Sequence, residues 1–228
     1  MPEVPNRCLA RSTRTRGGAP FLTHYGPDGS RTELSVASFT NWVDKTANLL
    51  QEYGIESGDR VGLPVLADHP AHWMAMVWLF ATWRAGGAAE ISRTPGGAAA
   101  VVTGPHPDQV GPAPTFVCSL DPWGRAVQQL PDGACDFSSE ALAQPDAFAG
   151  PWPDPAELAL TEADRTLTHA DLARLTPVTD RRCQRPSSSR AAIDLVVGAA
   201  LGSGSVVLLD ADVADAGRIA SAERATMA

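Results

Sequence analysis

Residues 156–172 read AELALTEADRTLTHADL, and this stretch decides how the second half of the chain is interpreted. Apolar residues alternate with other residues over Leu158–Leu160, which predicts a short buried strand. The polar run Glu162–Asp164 then predicts a short, solvent-exposed turn. The stretch therefore predicts that the chain leaves a sheet, turns at once and continues into the next element.

That next element is predicted to be a helix. Thr168 is followed three residues later by Asp171, a spacing that resembles a capping box with Asp in place of Glu. We expect Thr168 to be the N-cap and His169 to lie in the first turn of a helix over 168–175.

Strand and helix patterns alternate along the rest of the chain. Ser35 is a good N-cap for an amphipathic helix that ends at Gly54, and apolar patterning predicts the other elements. Strands are predicted at 21–25, 31–34, 60–66, 88–91, 98–103, 115–118 and 205–209, and helices at 35–54, 70–84, 168–175 and 188–201. This alternation predicts a layered α/β fold with a mainly parallel sheet and flanking helices.

The domain organisation follows from the same patterns. We expect a loose arm over 1–19, one α/β domain over 20–210 with possible sub-units at 20–150 and 156–210, and a terminal helix or tail over 211–228. Pro, Gly and Asp are frequent in 104–114 and 145–155, which predicts loops there.

Charge and hydropathy exclude several classes of function. The 228 residues carry a net charge of −8, which argues against a nucleic-acid or anionic-membrane surface. Apolar runs such as Met74–Trp83 are too short to span a bilayer. The first residues do not combine a basic region with an apolar core, so a secretory signal is not expected. The four cysteines lie far apart without metal-ligand spacing, so we expect reduced thiols in a cytoplasmic protein.

Three further groups of residues invite a functional interpretation. Asp68, His69 and His72 could ligate a metal, but Pro70 places the two imidazoles at a helix entrance, and capping or packing is the favoured interpretation. Gly202–Ser205 follows a helix and precedes a strand, the reverse of a phosphate-binding loop, and therefore predicts a tight connection. Ser187–Ser189 predicts an N-cap. Catalytic residues and metal ligands are therefore not assigned.

Tryptophan spacing carries one more prediction. Trp73 and Trp78 are five residues apart in a predicted helix, so we expect them not to face the core equally and one to be exposed.

Several of these segments resemble AMP-dependent synthetases and ligases, the adenylate-forming, acyl-CoA synthetase-like enzymes. Thr168, His169 and Leu172 match the Thr-His-x-x-Leu that follows their phosphate loop, and Ala47–Val61 is similar to their A-N-x-L…G…G-D-R-V stretch. The order and spacing of 31–35, 41–50 and 72–73 resemble most closely a family of short actinobacterial proteins distantly related to those enzymes. The resemblance covers about 20–225, so the short length is expected to be native. It implies the fold of the N-terminal part of adenylate-forming enzymes, in truncated form.

The chain departs from the enzyme pattern where ATP would bind. A phosphate cradle needs glycines and usually a lysine. Residues 161–167 contain neither, and they include Glu162 and Asp164. Lys45 is the only lysine, and the sequence ends without counterparts of the later nucleotide-binding segments. Four residues with hydroxyl or imidazole side chains remain at the place of the loop, and we call them the vestigial loop region: Thr161, Thr166, Thr168 and His169.

Three functions remain open from the sequence. The leading hypothesis is a degenerate, non-catalytic relative of these ligases that acts as a binding or interaction protein, with neither ATP nor AMP as an expected cofactor. The first alternative is an acyl- or aminoacyl-adenylating enzyme completed by a partner chain. The second is a self-associating scaffold.

Overall fold

The computed structural model describes residues 3–107 and 109–228. Eight helices, numbered in chain order, cover Pro5–Arg16 (α1), Val36–Glu52 (α2), Pro64–Asp68 (α3), Trp73–Arg84 (α4), Phe137–Leu142 (α5), His169–Leu172 (α6), Ser189–Leu201 (α7) and Ala216–Ala222 (α8) within these residues. The strands are Pro20–Tyr25 (β1), Arg31–Ser35 (β2), Arg60–Gly62 (β3), Ala88–Ile91 (β4), Ala100–Thr103 (β5), Thr115–Val117 (β6), Ala134–Asp136 (β7), Leu158–Glu162 (β8), Arg165–Thr168 (β9), Arg181–Gln184 (β10), Ser205–Leu209 (β11) and Thr226–Met227 (β12).

The first sheet joins strands from the two ends of the chain in the order β12-β10-β11-β1-β2. β1 and β11 run parallel with Leu22 opposite Val206, and β2 is the antiparallel edge strand. β10 lies on the other side of β11, with Cys183 opposite Val207. Pairing across more than 180 residues therefore brings the beginning and the end of the chain into one layer.

The second sheet has the order β7-β6-β5-β3-β4-β8-β9. Its strands are parallel except for β9, which pairs antiparallel with β8. The predicted layered, mainly parallel α/β architecture is thus confirmed, with the strands divided between two sheets. Each sheet combines strands from 20–150 with strands from 156–210.

Helix α4 lies against both sheets and explains where the core sits. All twelve of its residues are buried, and the helix contacts β1 of the first sheet and β4 of the second. Trp78 packs on Phe116 with ring centroids 5.0 Å apart, and Phe80 packs on Phe39 at 5.4 Å. A helix that is apolar on every side must be enclosed on every side.

Enclosure of α4 corrects the prediction for the tryptophans. Trp73 and Trp78 are both buried, with 2% and 0% of their surface exposed. The prediction that one would be exposed assumed a helix with a single buried face. The neighbouring helices α2 and α3 and both sheets surround this helix. Both tryptophans are therefore buried, although their side chains point in different directions from the helix axis.

The N-terminal arm is also corrected. Instead of a loose segment, 5–16 form α1, which contacts α2 and α7. Pro5 fits the first helical turn, and the buried side chains Cys8 and Leu9 give this arginine-rich helix an apolar contact surface. The Asn6 amide nitrogen donates to the Phe80 carbonyl at 2.8 Å, which fixes α1 to α4.

Element boundaries differ from the predictions where proline and burial intervene. The strand expected over 60–66 ends at Gly62, because Pro64 begins the short helix α3. The helix expected to include Pro70 begins at Trp73, with His72 as its N-cap. The helix expected over 168–175 is the single turn α6, and Leu158 at the start of β8 is 38% exposed rather than buried.

The loop between α7 and β11 has the tight form that the sequence predicts. A Cβ added to Gly202 would lie 2.0 Å from the Val178 carbonyl oxygen, and one added to Gly204 would lie 2.3 Å from the Asp180 oxygen. These glycines are therefore required by close backbone packing. The segment expected to be a terminal helix or tail forms α8 and β12.

Within the residues that the structure describes, no helix is both long enough and apolar enough to cross a membrane.

Candidate functional site

The segment before Thr168, where the sequence resemblance implies a phosphate loop, is a tight β-hairpin. β8 and β9 pair antiparallel with Glu162 opposite Arg165, so Ala163 and Asp164 alone form the turn. Ala163 has φ 50°, in the left-handed region that tight hairpin turns use. The predicted short, exposed turn is confirmed at Ala163 and Asp164, whereas Glu162 is the half-buried last residue of β8. The strand that returns from the turn, β9, is an element that the sequence patterns did not predict.

The hairpin places its two threonines side by side. Thr161 and Thr166 are directly opposite each other in the ladder, and residues in that relation share one face of a sheet. On the neighbouring strand Thr161 pairs with Glu90, whose carboxylate accepts from the Gly96 amide and lies 3.6 Å from Arg60. The threonine pair is therefore flanked by a carboxylate.

Thr168 is the N-cap of α6. Its hydroxyl accepts from the Asp171 amide at 3.2 Å, and the Asp171 carboxylate accepts from the Thr168 amide at 3.0 Å. This reciprocal pair confirms the predicted capping box. The bonds from Thr168 lower the pKa of the Asp171 carboxyl.

His169 is buried in the first turn of α6, as predicted. Its ring meets the Trp83 indole edge to face, with centroids 6.0 Å apart. Burial lowers the pKa of His169 to about 4, so the imidazole is neutral at pH 7. The structure therefore brings Thr161 and Thr166 together but uses Thr168 and His169 for capping and packing.

Lys45 is engaged away from the hairpin. Its ammonium lies on α2, donates to the Gln144 carbonyl and pairs with Asp146 at 2.9 Å. In the hairpin itself Arg165 is the sole cation, and its register partner is Glu162. Glu162 and Asp164 outnumber this cation, so the net charge of the hairpin is negative rather than positive.

A second candidate site lies where the chain reverses its winding in the second sheet. β3 is followed by β4 on one side and by β5 and β6 on the other. Ligands of open parallel sheets bind at the carboxyl ends of the strands beside such a switch point. A cleft of about 610 Å³ opens there, lined by residues from α3 and from the loops after β4 and β5, among them Asp68, His69, Arg93, Thr103, Gly104 and His106.

The candidate metal ligands Asp68, His69 and His72 do not share one site. His69 lines the cleft, whereas His72 is buried against His24, with ring centroids 4.5 Å apart. The His72 Nδ1 accepts from the Met74 amide, so its Nε2 donates to the Leu120 carbonyl. Residues 3–107 and 109–228 contain no group of three or more His, Cys, Asp or Glu side chains arranged to hold a metal ion.

The remaining candidates have structural roles. Ser188 caps α7 by accepting from the Ala191 amide, and the Ser189 hydroxyl donates to the Leu66 carbonyl. All four cysteines are free thiols. The sequence analysis did not single out Arg93. This residue follows β4 and lines the cleft beside the switch point, and the strand order that creates the switch point cannot be read from the sequence.

Comparison with known proteins finds one similar sequence and many similar structures. No model of a known protein family matches the sequence. The chain is 31% identical over 132 residues to a Mycobacterium tuberculosis protein named as a TIGR03089 family protein, a match that covers 53% of this chain and 51% of that protein. The chain thus spans about half the length of the curated relative it matches.

Solved structures cover nearly the whole chain. An acyl-CoA synthetase of Brucella canis aligns with a TM-score of 0.71 at 17% identity, over 99% of this chain and 47% of that one. The acetoacetyl-CoA synthetase of Streptomyces lividans gives 0.73 at 18%, over 98% and 41%. A long-chain-fatty-acid-CoA ligase of Archaeoglobus fulgidus gives 0.73 at 13%, over 99% and 51%.

Proposed function

We propose that this chain, which has the fold of the N-terminal part of adenylate-forming enzymes, is a non-catalytic binding or interaction protein. The observation that carries the proposal is the two-residue turn of the β8–β9 hairpin, which directly precedes the Thr-His-x-x-Leu resemblance at Thr168–Leu172.

The physical argument concerns backbone donors and charge. A phosphate loop holds its anion with several free N–H groups that glycines bring close together. In the hairpin, the strands on both sides of the turn pair with each other up to Glu162 and Arg165, so the ladder uses backbone groups that an open loop would present. Glu162, Asp164 and Glu90 would repel a triphosphate. The residues present therefore do not fit ATP.

Calorimetric titration of the purified chain with Mg²⁺–ATP and with AMP tests the proposal. We expect no measurable binding, and no pyrophosphate release with a panel of carboxylic acids. Glu162→Gly and Asp164→Lys should leave nucleotide binding undetectable, because neither change lengthens the turn. Micromolar ATP affinity together with carboxylate-dependent pyrophosphate release would overturn the proposal.

The second candidate is an adenylating enzyme that a partner chain completes. It is favoured by one observation: the aligned enzymes extend well beyond the matched region, since the match covers only 47% of the Brucella canis chain. It predicts a stable complex with a synthetase-like subunit. Size-exclusion chromatography and affinity capture that find a lone monomer would count against it, and a homodimer would favour a self-associating scaffold instead.

A further inference from the structure

Trp123 is the most exposed of the large apolar side chains in the part of the chain that the structure describes, at 72%. It stands in the connection from β6 to β7, in a turn that Asp121 holds together. The Asp121 Oδ1 accepts from the Trp123 amide at 2.8 Å and from the Arg125 amide at 3.3 Å. The Asp121 carbonyl accepts from the Gly124 amide at 3.0 Å. An exposed indole on a turn that is already ordered has the features of an interface anchor.

A small cavity, which we call the α8 cavity, opens between the β1–β2 turn and α8. The Tyr25 ring is fixed in its wall, because the Tyr25 hydroxyl donates to the Glu223 carboxylate at 2.6 Å. The other apolar side chains of the lining are Pro27, Val213, Ala214, Ile219 and Ala222. The volume of about 360 Å³ is near the lower end of the range of ligand pockets. The cavity therefore suits one bulky apolar side chain.

Trp123 and the α8 cavity lie on opposite faces of the β1–β2 hairpin. The Thr32 hydroxyl donates to the Pro122 carbonyl at 2.6 Å, which places the turn that carries Trp123 against the Thr32 face. Tyr25 pairs with Arg31, the neighbour of Thr32, and successive residues of a strand point to opposite faces. The cavity therefore lies on the other face. A second copy of the chain, related by a two-fold axis beside this hairpin, would meet both features at once.

The charges around the indole and around the cavity are complementary. Asp121 and Arg125 flank Trp123, and Arg125 is 74% exposed, with its guanidinium 4.0 Å from the Asp121 carboxylate. Asp28 and Arg218 lie at the rim of the α8 cavity, and Arg218 is 79% exposed. A second copy would therefore bring Arg125 towards Asp28 and Asp121 towards Arg218. Ion pairs at the rim of an interface set its orientation and disfavour wrong partners.

We propose that the chain forms a two-fold dimer in which Trp123 of each copy enters the α8 cavity of the other. A second copy is the occupant because one chain carries the anchor, a cavity of matching size and character, and the complementary charges. Two exchanged indoles bury roughly 150–250 Å² each, so the dimer is expected to be weak and to form at micromolar concentrations. The inference rests on the proposed function, since it names the partner of an interaction protein.

Sedimentation velocity of the whole chain at about 5 to 500 µM tests the proposal, and we expect a monomer–dimer equilibrium. Trp123→Ala should raise the dissociation constant at least about tenfold, because it removes both anchors. Ala222→Phe should have a similar effect from the other side, because its ring fills the cavity. Leu142→Ala is the matched control with an unchanged dissociation constant, since Leu142 is 59% exposed on α5 and belongs to neither surface.

Reversal of one charge pair tests the two-fold arrangement. Arg125→Glu and Asp28→Arg should each weaken the dimer, and the double variant should restore it, because the opposite charges then face each other again. A monomer at every concentration, a dimer unchanged by Trp123→Ala or Ala222→Phe, species larger than a dimer, or no recovery in the double variant would overturn the inference.

The same samples separate the two proposals. A dimer with these properties that also binds ATP and releases pyrophosphate with a carboxylic acid would contradict the proposed function alone. A monomer without nucleotide binding would contradict the dimer alone.

Discussion

Burial decides the chemistry of the histidines in this protein. His169 lies against Trp83 with 1% of its surface exposed, and His72 lies against His24 with 3% exposed. Desolvation lowers the pKa of both imidazoles, that of His169 to about 4. A neutral, enclosed imidazole fills space between aromatic rings and is not available as a proton acceptor for a ligand at pH 7.

The lowered pKa of His169 predicts a loss of stability in mild acid. Between the unfolded pKa of about 6.5 and the folded value, the unfolded chain binds a proton that the folded protein excludes, so stability falls as pH falls. From pH 7 to pH 4.5 this residue should account for about 2 to 3 kcal/mol of the lost free energy of unfolding. Urea unfolding at both pH values measures it.

His169→Phe should reduce this pH dependence, because phenylalanine packs against Trp83 without a titratable group. His106→Gln is the control, since His106 is exposed at the cleft mouth. An unchanged difference between pH 7 and pH 4.5 in His169→Phe would contradict the assignment.

At the scale of elements, local capping sets where helices begin. Ser35 and Thr168 were predicted as N-caps, and one N-cap was predicted within 187–189, where the structure selects Ser188. Each of the three accepts a hydrogen bond from a backbone amide of the following turn. The reason is local: a hydroxyl at the N-cap satisfies an amide that has no partner within the helix.

Loss of the Thr168 cap should destabilise the protein by a predictable amount. We expect Thr168→Ala to reduce the free energy of unfolding by about 1 kcal/mol, because the Asp171 amide loses its acceptor. Thr166→Ala, at an exposed position of β9, is the matched control with an effect within about 0.5 kcal/mol. Urea midpoints at unchanged slope measure both variants, and equal midpoints would show that the cap contributes nothing.

Other elements depend on distant partners, which explains why the sequence patterns missed them. β10 is the arginine-rich Arg181–Gln184, and it becomes a strand by pairing in parallel with β11 and β12. β7 has three partly buried residues and extends from β6. Neither segment alternates polar and apolar residues clearly, so backbone pairing across the fold determines both.

At the scale of the whole molecule, α4 connects the two sheets, and Arg84 at its end fixes a loop. The Arg84 guanidinium lies between the rings of Phe148 and Trp152, at 4.6 and 4.1 Å, and donates to the Phe148 and Gly150 carbonyls. The segment 145–155, predicted to be a loop, is thereby held against the core.

This arrangement predicts one cooperative unfolding transition. One hydrophobic cluster contains buried side chains from Leu9 to Leu208, so neither sheet can expose its apolar face without opening the other. Three of the six tryptophans that contribute to the fluorescence, Trp73, Trp78 and Trp83, lie in α4, and far-UV circular dichroism reports all elements. Coincident urea transitions are expected. Two separate transitions would favour the division into 20–150 and 156–210 as independent sub-units.

The sequence by itself determined the N-caps and the short turn at 163–164, because caps and turns depend on neighbours within a few residues. It also determined the α/β class and the mainly parallel pairing, because strand and helix patterns alternate along the chain. The tertiary structure decided the division of strands between two sheets, the enclosure of both Trp73 and Trp78, and the placement of Arg93 and His69 along one cleft. Strand order and helix coverage arise from backbone pairing and packing between distant segments. Such contacts have no local signature, so a site built from them appears only in the folded chain.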